Sequence, residues 1–166
     1  MKIDLLAFYR DEIPNNKGVF LHDIWSYSDK QLESKHKYIQ WMFPTDQKSL
    51  FNRTAPVLRQ PEIILLKNDT IVMKNFRTSL IKIFKFYGLS LLSDDSIIIS
   101  IDFNLKAKNW ITPNNHNYKR ISRILRFLTL FRFDKIKREL IVTLEEIYRE
   151  HENAIGEETY QIWKNV

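Results

Sequence analysis

At 166 residues, with 44% apolar and 28% charged side chains, the chain is long enough for one domain with a sizeable core, and neither disorder nor a fibrous class fits. Cysteine is absent, which excludes a disulfide framework, thiolate chemistry and cysteine zinc sites. The net charge of +6 is uneven: residues 104–138 hold ten basic side chains against Asp134, a net +9, whereas residues 139–166 reverse to −5.

The stretch Met1–Arg10 has an acid inside its apolar run and no small-residue cleavage site, unlike a secretory signal, which favours an intracellular, cytoplasmic protein. No apolar run approaches the roughly 20 residues of a membrane-spanning helix. Ile3, Leu5, Leu6, Phe8 and Tyr9 predict a short opening helix ended near Pro14, with Asn15, Asn16 and Gly18 as turn residues. Ser28 or Asp29 can cap a helix that carries Leu32, Tyr38 and Ile39 into Trp41, Met42 and Phe43 before Pro44 stops it. Residues 45–61 read as a loop, and Pro61 with Glu62 suits the first turn of a short helix through Leu66.

Met73, Phe76, Leu80, Ile83, Phe84 and Tyr87 recur at spacings of three and four and predict a helix from about Thr70 to Tyr87, capped by Asp69 or Thr70 and closed by Gly88. Residues 89–103 read either as a buried helical start or as a small hairpin, Leu89–Leu92 against Ile97–Phe103 through Asp94 and Asp95; the hairpin is favoured. A helix from about Asn117 to Phe131 puts Ile121, Ile124, Leu125 and Leu128 on one side and Lys119, Arg123 and Arg126 opposite. Asp134 can cap a last long helix with Ile136, Leu140, Ile141 or Val142, Leu144, Ile147 and Tyr148 in helical period, and Tyr160, Ile162 and Trp163 make the tail too apolar to be free.

Two blocks stand out: His36-Lys37-Tyr38-Ile39-Gln40-Trp41-Met42-Phe43-Pro44 and His116-Asn117-Tyr118-Lys119-Arg120-Ile121-Ser122-Arg123-Ile124-Leu125. They resemble, in order, the H-x-Y-I-Q-W-[LM]-F-P and H-N-x-x-R-I-[ST]-R-I-L segments of the conserved domain of opioid growth factor receptors. Phe8-Tyr9, Ala55-Pro56, Phe86-Tyr87-Gly88, Asn109-Trp110 and Leu144-Glu145-Glu146 extend the resemblance along nearly the whole chain. It implies the family's fold and a receptor-like, peptide-binding role. Family members are nuclear or perinuclear, which brings in peripheral membrane association. Vertebrate members carry a long C-terminal extension with nuclear-targeting character that this sequence lacks, so nuclear traffic and growth-regulating activity are not carried over.

The three glycines are too far apart for a phosphate-binding loop or a dinucleotide fingerprint, and no Gly-x-Ser-x-Gly elbow exists. Glu33-x-x-His36 is half of a carboxylate-bridged di-iron spacing without its second copy, and the four histidines share no metal spacing. No catalytic residue, metal or cofactor is assigned. Trp41 with Gln40 and His36 could line a ligand pocket or simply pack the core. His116, Asn117, Arg120 and Arg123 at a helix start could grip a carboxylate or phosphate, or could cap the backbone while the arginines pair with the acidic last helix. The expectation is a mainly α, compact single-domain helical bundle of about six or seven helices. It would be a non-enzymatic module for a peptide or small anion at His36, Gln40, Trp41, His116, Asn117, Arg120 and Arg123. The alternative is a nucleic-acid or polyanion binder using Lys119, Arg120, Arg123 and Arg126.

Overall fold

The computed structural model describes residues 3–49 and 52–166, and the chain forms two compact units, Met1–Lys82 and Ile83–Val166. The fold is mainly α with one small hairpin, as the sequence predicts. The described residues form eleven helices rather than six or seven, because several are single turns that carry too little sequence to show a period.

In the first unit, α1 (Leu5–Tyr9) starts where the Asp4 carboxylate accepts from the Ala7 N–H at 3.1 Å. It stops well before Pro14. The Glu12 N–H bonds the Ala7 carbonyl and the Asp11 N–H the Phe8 carbonyl, and Asp11 takes φ 66°, so the chain turns out of the helix in a left-handed C-terminal cap. A one-turn α2 (Leu21–Trp25) follows, its start held by the Asp23 carboxylate on the Phe20 N–H at 2.8 Å.

The helix expected from Ser28 through Phe43 is two helices, α3 (Asp29–Ser34) and α4 (Tyr38–Met42). Ser28 and Gln31 form a reciprocal capping box on α3, and Lys35 then leaves the helix at ψ 127°. Side chains hold the segment between the two helices. The Asn52 amide donates to the Lys37 carbonyl at 3.2 Å, and the Gln40 amide, turned so that its nitrogen faces acceptors, reaches the Lys37 and His36 carbonyls at 3.1 and 3.2 Å. Helix α5 (Gln60–Lys67) has Pro61 in its first turn and Glu62 accepting from the Arg59 N–H at 2.8 Å.

Helix α6 (Thr70–Tyr87) has the predicted bounds, and Asp69 caps it by accepting from the Val72 N–H at 2.9 Å. In the first unit the rings of Phe8, Tyr9, Trp41 and Phe76 pack edge to face with centroids 4.9–5.1 Å apart. The Tyr9 hydroxyl donates to the Trp41 carbonyl at 2.9 Å, which seats α4 on α1.

In the second unit, Gly88 takes φ +77° and opens a two-stranded antiparallel hairpin, β1 (Leu89–Leu91) and β2 (Ile97–Ile99), with Ser90 opposite Ile98. The turn is closed by Asp94, whose carboxylate accepts from Ser96, and by Asp95 at φ 69°. The second strand ends at Ile99 rather than Phe103. Ser100 still donates to the Gly88 carbonyl, but the Phe103 N–H folds back onto Ser100 and starts α7 (Phe103–Ala107). Trp110 is fully buried against Tyr87 and Phe103.

Helix α8 (Asn117–Leu130) buries Ile121, Ile124, Leu125 and Leu128 as its period demands. Helix α9 (Asp134–Glu150) begins on Phe133, so Asp134 is its first residue rather than its cap, and it buries Ile136, Leu140, Leu144 and Ile147 while Val142 is exposed. The tail folds as α10 (Glu152–Ile155) and α11 (Glu157–Asn165), with Tyr160 and Trp163 buried and Ile162 exposed. The Trp163 indole N–H donates to the Tyr118 carbonyl at 3.2 Å, tying α11 to α8. Among the described residues no helix is long and apolar enough to cross a membrane.

Candidate functional site

Within the first unit, a cleft of about 350 Å³ is lined by the turn after α1, the end of α2, the α3–α4 break and the Asn52–Thr54 loop. Each wall has a local cause. Asn15 is buried because its Oδ1 accepts from the Lys17 and Val19 N–H groups at 2.8 and 3.2 Å, curling residues 15–19 into a turn that Gly18 completes at φ +72°. Tyr27 and Tyr38 meet edge to face at 6.2 Å, and the Lys35 ammonium lies over the Tyr27 ring at 4.5 Å. Asn52, bonded to the Lys37 carbonyl, also accepts from the Thr54 hydroxyl at 2.9 Å and so binds the loop to the start of α4.

The cleft is basic and aromatic. Lys17, Lys35, His36 and Lys37 stand at its walls with Tyr27, Tyr38 and Trp41, and no acidic side chain is among its described lining residues. Its volume lies at the lower end of the roughly 300–1,000 Å³ typical of small-molecule sites. The second unit holds an apolar cavity of about 10 Å³ beneath Trp110, Tyr87 and Leu144, a packing gap rather than a binding site. Among the described residues, no group of three or more His, Asp or Glu side chains could hold a metal ion.

Of the residues singled out in the sequence, His36 and Trp41 line the cleft. Gln40 is buried and its amide is spent on the α3–α4 break. In the second unit, Asn117 is fully buried and Arg120 is 5% exposed. The Asn117 Oδ1 accepts from the Arg120 guanidinium at 3.1 Å and from the Tyr87 hydroxyl at 3.3 Å, while Asn115 accepts from the Asn117 amide at 2.9 Å. These contacts brace the start of α8 from inside. His116 and Lys119 are exposed, and Arg123 and Arg126 are half-buried.

Sequence reading missed Asn15, Lys17, Tyr27 and Asn52 as cleft residues. The signal for the basic rim was present in the run Lys35-His36-Lys37 beside the Trp41 block.

The described residues form a mainly helical protein whose first unit carries a basic, aromatic-walled cleft. The family model for the opioid growth factor receptor conserved region matches residues 2–161, and the chain belongs to that family. It is 29% identical to opioid growth factor receptor-like protein 1 of Mus musculus over 146 residues, covering 82% of this chain and 30% of that protein. The same protein of Xenopus tropicalis is 32% identical over 141 residues, 82% of this chain and 27% of its own. The opioid growth factor receptor of Homo sapiens is 32% identical over 133 residues, 74% of this chain and 19% of its own. The match therefore spans less than a third of these relatives. No solved structure matches the chain.

Proposed function

We propose that the chain is a non-enzymatic ligand-binding module whose cleft takes a short peptide or a small organic anion. The cleft carries this reading. It sets lysines and a histidine around aromatic walls, a lining suited to a ligand with an anionic group beside an apolar one. The name that the curated relatives carry, opioid growth factor receptor, favours a peptide. This reading leaves Asn117 and Arg120 to brace α8, and Lys119, Arg123 and Arg126 outside the ligand site.

Isothermal titration of opioid peptides, at low and at physiological salt, tests it. Binding that is weakened by Lys37→Glu and by added salt is expected. Peptides that do not bind at either salt concentration refute the module. RNA or heparin binding that survives Lys37→Glu but is lost with Lys119→Glu transfers the function to the α8 face.

A further inference from the structure

The four tryptophans differ in one respect. The indole N–H of Trp25 donates to the Ser79 hydroxyl at 2.9 Å, that of Trp110 to the Tyr87 carbonyl at 3.2 Å, and that of Trp163 to the Tyr118 carbonyl at 3.2 Å. Trp41 is only 4% exposed and lines the cleft, yet its indole N–H meets no acceptor among the described residues. The indole ring is buried, but this N–H is not sealed from water, so it is open to a ligand in the cleft.

A second donor stands in the same cleft. Asn15 is 9% exposed, and its Oδ1 is committed to the Lys17 and Val19 N–H groups. That commitment fixes the amide plane and leaves Nδ2 on the opposite side, where no acceptor among the described residues meets it. Resting on the reading of this cleft as the ligand site, we propose that the Trp41 indole N–H and the Asn15 amide N–H₂ receive a carboxylate of the ligand.

Both donors are pre-positioned by contacts on their other sides. Trp41 is held by Phe8, with ring centroids 5.1 Å apart, and Asn15 by its own turn. The exposed Lys17 and Lys37 supply positive charge around them, and Tyr27 and Tyr38 offer apolar surface to whatever the carboxylate is attached to. Neutral donors held in place select a charged acceptor more sharply than flexible lysines do, because the lysines can follow any anion whereas the indole and amide are fixed by their other contacts. The class of ligand is a carboxylate adjoining an aromatic or aliphatic group. The C-terminus of a peptide and a free aromatic acid share it.

The test uses the full chain labelled with ¹⁵N, whose four indole N–H resonances can be followed separately and assigned by Trp→Phe substitution. The probes are a pentapeptide ending in phenylalanine with a free carboxylate, the same peptide amidated, and N-acetylphenylalanine. Addition of the free-carboxylate peptide should move the Trp41 resonance and leave those of Trp25, Trp110 and Trp163 in place, with the amide at least about tenfold weaker. Trp41→Phe keeps a ring against Phe8, and Asn15→Asp keeps the turn's acceptor while removing the amide donor. Each should weaken the carboxylate peptide by about 10- to 100-fold. A response to N-acetylphenylalanine equal to the peptide's assigns the site to free acids, and a response only to the peptide assigns it to C-termini. If acid and amide bind equally and the Trp41 resonance stays still, the carboxylate assignment is wrong while the cleft remains a ligand site. If no probe binds, both fall.

Discussion

Gly88 offers the sharpest test of the fold. It ends α6 at φ +77° and presents its carbonyl to the Ser100 N–H at 2.9 Å. A methyl group there would lie 2.9 Å from the Phe103 Cα and 3.1 Å from the Phe103 ring, and the first of these contacts is with backbone that no rotamer change can relieve. Gly88→Ala therefore carries two penalties. The left-handed conformation costs an alanine about 1–2 kcal/mol, and forcing α7 off the hairpin adds about 1–3 kcal/mol, for a destabilisation of about 2–5 kcal/mol. Gly18 is the internal control, since it has φ +72° but nothing within 4 Å of an added Cβ, so Gly18→Ala should lose about 1–2 kcal/mol from backbone strain alone. Urea unfolding followed by tryptophan fluorescence, with equal m-values, gives both numbers. Equal losses in the two variants would show that Phe103 does not rest on Gly88 and would refute the packing argument.

Arg120→Ala should destabilise the chain by about 1–3 kcal/mol, because it removes a buried partner of the Asn117 oxygen, whereas exposed Lys119→Ala should stay within about 0.5 kcal/mol; the same urea titration compares them, and equal effects would contradict the brace. The Asp69 carboxyl is held below the ordinary carboxylate range, first by its hydrogen bond from Arg10 and then by the Val72 N–H at the start of α6. A carboxylate with a lowered folded pKa contributes stability that is fully present above its unfolded pKa of about 3.9 and is lost as pH falls through the depressed value. Asp69→Asn keeps a cap but cannot titrate, so its melting temperature should fall less steeply than that of the wild type below about pH 4; parallel profiles would remove Asp69 from the acid response.

The sequence showed what repeats within one element and hid what depends on distant ones. Helix α6 was legible because Met73, Phe76, Leu80, Ile83, Phe84 and Tyr87 sample a helical face through about four turns between a capping Asp69 and a left-handed Gly88. The five-residue α2 and α7 complete little more than one turn, so no period can emerge from them. The break at Lys35 was hidden for another reason. Residues 29–43 carry acceptable helical spacing, and nothing local marks the exit at Lys35; the start of the next helix is held by Asn52, which donates to the Lys37 carbonyl from fifteen residues further on. The burial of Arg120 was hidden for the same reason. A helical wheel orders the residues of α8, but it does not reveal that the Tyr87 hydroxyl and the Asn117 amide form a polar niche in which a guanidinium can be buried.

The candidate site shows the same division at the level of single atoms. His36 and Trp41 were visible as part of a dense block, and burial of the Trp41 ring follows from its apolar flanks Ile39, Met42 and Phe43. Burial alone does not require tryptophan: against Phe8 and beneath the Tyr9 hydroxyl, which uses the Trp41 main-chain carbonyl and not the side chain, a phenylalanine could supply much of the same apolar contact. What only tryptophan adds is the N–H. At Trp25, Trp110 and Trp163 that group closes an internal hydrogen bond and helps hold the fold. Trp41 lines a cleft whose other walls bring Asn15 and Lys17 from about two dozen residues earlier in the chain, and its N–H closes no such bond among the described residues. The position thus combines a structural ring with an uncommitted donor, and the donor is the part that packing does not account for.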